Sequence, residues 1–127
     1  MTNFDPSQLI YPYQECGWVM DGNSYLIWRV GTGRNVEFLH QFTEEDRRRQ
    51  GVGINLMRRA LKELSKSPPY YSVFGFARVK PGLQEFHHAL GFQTMIIPGV
   101  YRDGQCIFLF QEYRRICQHL GVSYEER

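Results

Sequence analysis

One junction constrains this chain more than any other. An apolar run from Val36 to Phe42 reads as a strand, and Ile54 to Leu64 reads as an amphipathic helix. Between them lies Asp46-Arg47-Arg48-Arg49-Gln50-Gly51-Val52-Gly53. A strand that turns through glycines into a helix gathers unpaired backbone N–H groups at one spot. Together with the positive end of the helix dipole they form an anion site. Arg48-x-x-Gly51-x-Gly53 therefore suggests a phosphate-bearing ligand. It is not a Walker A loop, because no Gly-Lys-Ser/Thr follows, and the third glycine of a dinucleotide fingerprint is missing. Read alone, the turn also fits a solvated arginine run.

The rest of the pattern places this junction. Glu15 to Met20 and Ser24 to Val30 read as strands around an Asp21-Gly22-Asn23 hairpin turn. After a second turn at Gly31 to Asn35, the third strand, Val36 to Thr43, alternates. Val36, Phe38, His40 and Phe42 fall on one face, and Glu37, Leu39, Gln41 and Thr43 on the other. Ile54, Met57, Leu61 and Leu64 give the helix its apolar stripe, and Arg58, Arg59, Lys62 and Glu63 read toward solvent. Ser67-Pro68-Pro69 ends it. Tyr70 to Val79 reads as a strand that pairs in parallel with the third through a right-handed crossover. Pro81 opens a short second helix and Gly91 stops it. Phe92 to Ile97 and Cys106 to Phe110 follow as strands around Asp103-Gly104, and Tyr113, Ile116, Cys117 and Leu120 share one face of a last short helix. The order β-β-β-α-β-α-β-β plus a short C-terminal helix predicts an α+β fold with a mixed, mostly antiparallel central sheet and two main helices. The 127 residues suit one domain, 1–127, with 1–14 as an irregular arm.

Composition narrows the function classes. A net charge of +2 is too mild to imply nucleic acid by itself. The positive charge is local, at Arg47, Arg48, Arg49, Arg58 and Arg59, and Glu44, Glu45 and Asp46 adjoin it. Cys16, Cys106 and Cys117 are odd in number, widely spaced and without a CxxC, which argues against a disulfide scaffold and a zinc site. Reduced thiols point to a cytoplasmic protein. No stretch is apolar enough to span a bilayer and the first residues do not read as a signal peptide, so no membrane partner is expected.

At this point the sequence resembles the GNAT acyltransferase superfamily. Its acyl-CoA motif, Arg/Gln-x-x-Gly-x-Gly/Ala, sits where the meander's last strand meets the main helix, and Arg48, Gly51 and Gly53 stand there. A second signature, Asn-Pro-x-Ala-x-x-Leu-Tyr-x-x-x-Gly-Phe, is matched by Pro81, Gly91 and Phe92, with Lys80 for the asparagine, Phe86 for the leucine and His87 for the tyrosine. The resemblance covers roughly residues 15–112. It implies acetyl-CoA or another acyl-CoA as cofactor. Backbone N–H groups across Arg48, Arg49, Gln50, Gly51, Val52 and Gly53 would hold the CoA pyrophosphate, with charge from Arg48 and Arg49. Phe42 and Thr43 would bond the pantetheine amides where the strands splay.

The resemblance also implies a direct transfer of acyl to an amine acceptor, a small molecule or a peptide. The family's tyrosine acid is replaced here by His87, which is either a proton donor or a packed histidine. Glu37 and His40 lie on the strand where the family places a base, and strict alternation puts them on opposite faces. The helical pair that normally roofs the acceptor site has no counterpart here beyond the arm before Glu15. A more open cleft would suit a larger acceptor, a wall supplied by a partner, or a homodimer. Two alternatives stay open: on the resemblance, a non-catalytic acyl-CoA sensor on the same fold, and from the residues, a basic-patch nucleic-acid-associated protein.

Overall fold

The short turn at Gly22-Asn23 folds the first two strands back on each other, and Gly22 supplies its positive φ of 60°. In the computed structural model, which describes residues 16–48, 50–66, 70–99 and 104–123, these strands are β1 (Cys16–Asp21) and β2 (Ser24–Val30). They lead into β3 (Asn35–Phe42), α1 (Val52–Leu64), β4 (Ser72–Arg78), α2 (Leu83–Ala89), β5 (Gln93–Pro98), β6 (Gln105–Glu112) and α3 (Tyr113–Leu120). Single 3-10 turns cover Thr32–Arg34 and Glu45–Arg47. One six-stranded sheet runs β1-β2-β3-β4-β6-β5. Only β3 and β4 pair in parallel, across the α1 crossover. The mixed α+β architecture is the expected one.

The helices share one face of the sheet. Leu56, Met57, Ala60 and Leu61 of α1 and Ile116, Cys117 and Leu120 of α3 join Leu26, Trp28, Val36, Phe38, Val73, Ile107 and Leu109 in a single core. Leu90 and Phe92 carry α2 into it. The α1 stripe is wider than the expected one: Leu56 and Ala60 are as fully buried as Leu61, whereas Ile54 is only partly covered. Tyr113 Oη donates to Leu61 O (3.2 Å) and bonds Ser65 Oγ (2.6 Å), and Arg58 Nε donates to Leu120 O (3.0 Å), tying α3 along α1.

The strict alternation expected in β3 fails. Its register against β2 steps from Ile27↔His40 to Trp28↔Phe38, so Leu39 is an extra residue, a β-bulge. A one-residue insertion reverses the faces of everything beyond it. Val36 and Phe38 face the helices with Trp28, but beyond the bulge Gln41 takes that face with Leu26. His40 and Phe42 turn to the other face, where Phe42 packs on Tyr25 (centroids 5.6 Å). Glu37 pairs with Arg29 and His40 with Ile27 on that same face, so Glu37 and His40 are not on opposite faces after all. The arm 1–14, Glu15, Arg49, the Ser67-Pro68-Pro69 stop and Asp103 lie outside the described residues, as do Tyr11, Tyr13 and Tyr101.

Candidate functional site

Two parallel strands that part company create the cleft. β3 and β4 pair from Asn35↔Ser72 to Phe38↔Gly75, and there the ladder stops. Leu39 to Phe42 run on with no β4 partner, leaving strand backbone whose polar groups a ligand can satisfy. Gly75 sits at the fork. A Cβ there would lie 3.0 Å from Phe38 O and 3.3 Å from Leu109 Cδ1, so any larger residue would push on the neighbouring strand.

At the open end of the cleft stands the start of α1. Gly51 caps it in the left-handed region (φ 78°) with no side-chain cap bond. A Cβ on Gly51 would meet nothing within 4 Å, so the ground in front of the helix is open. The first helical bond is Asn55 N–H to Gly51 O (3.0 Å). The N–H groups of Val52, Gly53 and Ile54 thus have no helical acceptor. Among the described residues, the loop before them is tied to the β1–β2 turn. Arg47 grips Asp21 through Nη1–Oδ1 and Nη2–Oδ2 (3.0 Å each), and Glu44 Oε1 accepts from Asn23 N–H (2.9 Å) while Glu44 N–H donates to Ser24 Oγ (3.0 Å). The guanidinium of Arg47 holds the Asp21 carboxyl below its ordinary range, chiefly by this hydrogen bond. Arg48 Nε donates to Thr43 O (3.2 Å), closing the turn on itself.

The basic cluster read from the sequence therefore divides. Arg47 serves Asp21, Arg58 serves Leu120 O, and Arg59 Nη1 donates to Met20 O (2.6 Å). Among the described residues of that run only Arg48 stays at the turn, exposed. Gln50 is exposed, with its amide on Asp46 O (3.0 Å).

Between the fork and the helix start lies a feature the sequence reading missed. Gln41 Nε2 is buried and has no hydrogen-bond partner. It reaches within 3.3 Å of where a Gly53 Cβ would be, beside Phe86 of α2 at 3.0 Å. A buried amide donor without an acceptor is costly unless a ligand supplies one. The available signal was a glutamine in an apolar strand; only the bulge turns it inward. CoA fits this set: orphan N–H donors at Val52, Gly53 and Ile54 for phosphate, an open β3 edge for an amide-bearing arm, and a free amide at Gln41 between them.

The expected proton-transfer residues are placed less favourably. His87 is 7% exposed, between Phe86 and Phe92 (centroids 5.2 and 6.1 Å). Its Nδ1 donates to Leu83 O (2.9 Å), and burial pushes its pKa below the ordinary value of 6.5. The ring is packed between aromatic side chains, where burial disfavours its charged form. His88 is exposed and bonds Thr94 Oγ1 (2.8 Å). Glu37 is bound by Arg29 through Nε (2.8 Å) and Nη2 (2.6 Å). His40 is exposed beyond the bulge. Tyr70 and Tyr113 pack edge to face (5.6 Å), and Tyr71 is 71% exposed.

No protein-family model and no curated protein matches the chain. Solved structures do. Ard1 from Thermoplasma volcanium superposes with a TM-score of 0.63 at 21% identity, over 70% of this chain and 62% of Ard1. The chain thus spans less than two thirds of that protein. The ribosomal-protein-S18-alanine N-acetyltransferase from Escherichia coli gives 0.64 at 19% identity, over 79% and 70%. An aminoglycoside 6'-N-acetyltransferase solved with coenzyme A gives 0.65 at 14%, over 79% and 74%. These superpositions show that the chain has the fold of the GNAT N-acetyltransferases.

Proposed function

We propose that the protein transfers an acetyl or other acyl group from acyl-CoA to a primary amine, on a small molecule or a peptide, by direct attack. One observation carries this reading: the β3–β4 fork opens beside an uncapped helix N-terminus, and a buried, partnerless amide lies between them. The neighbours support it, since their names describe amine acetylation and one was solved with coenzyme A.

Bound acyl-CoA supplies a thioester already activated toward amines. The chain's own groups position it. The N–H groups of Gly51, Val52, Gly53 and Ile54 bind the pyrophosphate, with charge from Arg48 and Arg49. Gly51 lets backbone approach phosphate without a Cβ, and Gly53 leaves the room that Phe86 and Gln41 occupy beside the helix start. Backbone groups of Phe42 and Thr43 hold the amide arm, and strand donors beside the bulge polarise the thioester carbonyl. The amine nitrogen attacks that carbon, the carbon–sulfur bond breaks, and the CoA thiolate leaves. The base that takes the ammonium proton is His40 or Glu37, on one face of β3. His40 is the freer of the two, because Glu37 must first release Arg29.

A second reading is a non-catalytic acyl-CoA-binding module. Its support is that His87 and Glu37 are both engaged in structural contacts. Titration with acetyl-CoA, followed by thiol release across a panel of amines, separates the two. The enzyme gives saturable binding and amine-dependent thiol; the module gives binding alone. Gly51→Glu is expected to abolish binding, because its carboxylate would stand where the pyrophosphate binds. Gly51→Asn, which tolerates the left-handed conformation, separates charge from strain. A folded Gly51→Glu protein with undiminished CoA affinity would overturn the site.

A further inference from the structure

The two edges of the sheet are finished differently. At β1, Arg59 donates to Met20 O and Arg47 to Asp21 O, so helix and loop side chains cloak the strand. At β5 nothing comparable exists among the described residues. Gln93–Pro98 contains no charged residue, and Met95 and Ile96 are 50% and 46% exposed on opposite faces. Charged side chains, covers and early prolines are the usual protection of a free edge, and here only Pro98, at the strand's end, provides any.

Hydrogen-bond phase shows what the bare edge offers. Gly99 N–H donates to Gly104 O (2.8 Å), closing the β5–β6 hairpin. Antiparallel ladders alternate, so Ile97, Met95 and Gln93 bond inward to Cys106, Phe108 and Phe110. Thr94 and Ile96 then point N–H and C=O outward, while Pro98 offers only its carbonyl. Thr94's hydroxyl is already engaged by Gln84 and His88 of α2, leaving its backbone groups free for the edge.

We propose that a second copy of this chain docks here, β5 against β5, antiparallel about a two-fold axis through Met95. In that register Thr94 faces Ile96 of the partner subunit. Both outward pairs are satisfied reciprocally, and no backbone donor meets proline. Met95 faces its own copy at the close, non-hydrogen-bonded position on the face away from the helices. There it lies opposite Phe108, whose ring packs on Phe76 and Phe110 (5.3 and 5.2 Å). The two aromatic strips join across the axis. An uncharged strand can meet itself without opposing like charges, which is why a second copy fits better than a partner of fixed charge.

Sedimentation of the full chain across the micromolar range is expected to show a concentration-dependent dimer, with or without CoA. Ile96→Lys is expected to abolish it while far-UV dichroism is unchanged. Met95→Cys, in a Cys16→Ser background, is expected to oxidise to a covalent dimer, and Gln93→Cys is expected to do so far more slowly. This last measurement stands even if Ile96→Lys misfolds. A strictly monomeric chain overturns the proposal, as does a dimer that survives Ile96→Lys or that Met95→Cys fails to trap. A monomer that binds an extended peptide along β5 would assign the edge to a peptide instead, and would equally overturn it. None of these outcomes depends on acyl transfer.

Discussion

Gln41 shows how much one residue can carry. Beyond the bulge its amide nitrogen is buried without an acceptor, next to Gly53 and Phe86. A defect of packing and a ligand contact make the same forecast for the stability of Gln41→Leu and different forecasts for its CoA affinity. Removing an unsatisfied buried donor is expected to stabilise the free protein by about 1 kcal/mol. If the amide serves acyl-CoA, the same change weakens CoA binding about fivefold, the equivalent of one net hydrogen bond. The signature is therefore a raised denaturation midpoint together with a raised Kd, read by urea titration and by calorimetry on one sample. A rise in stability with unchanged Kd would leave Gln41 a mere packing fault. The sequence did not single out this residue, because counting alternate positions from Val36 sends it to the opposite face.

Among the elements, the strand, glycine turn and helix were legible because each rests on local chemistry. Gly51 needs positive φ, Gly22 closes a two-residue hairpin, and α1 has a clear apolar stripe. What was not legible came from pairing between distant segments. The bulge exists only relative to β2, and the fate of Arg47 depends on Asp21, 26 residues away. The fork likewise depends on Gly75, an inconspicuous glycine within an aromatic strand. Because Phe38 O is backbone and cannot swing aside, Gly75→Ala forces β3 and β4 apart or strains both. The expected cost is about 1–3 kcal/mol, the usual penalty for overpacking. Amide exchange gives the local test: protection should fall in Asn35–Phe38 and Ser72–Arg78 while the β5–β6 hairpin keeps its own. Uniform loss across the sheet would mean that the fork is not a separable element.

The whole molecule puts its helices on one face of the sheet, and that choice makes folding sensitive to acid. α2 reaches the core through Leu90 and through His87, which packs against Phe92, which in turn packs on Phe38 of β3 (6.2 Å). Burial lowers the His87 pKa below 6.5, the nearby His88 lowers it further, and the bond to Leu83 O opposes both. A histidine that resists protonation only when folded leaves the unfolded chain binding more protons, so stability rises with pH through that window. Stability is then unaffected above the unfolded value, declines as pH falls below about 6.5, and levels off once pH passes the folded pKa. Asp21 works lower on the scale: its depressed pKa gives stability present above 3.8 and lost as pH falls through the folded value. The two contributions separate by position. Urea midpoints measured at roughly pH 7.5 and 5.5 should differ more in the wild type than in His87→Leu, because leucine cannot take up the proton. The same variant bears on chemistry. A packed neutral ring predicts that His87→Leu keeps amine-dependent thiol release with an unchanged pH profile, whereas a proton donor predicts loss of turnover at unchanged CoA affinity. An equal pH slope in both proteins would show that the buried imidazole is not what couples α2 to the core.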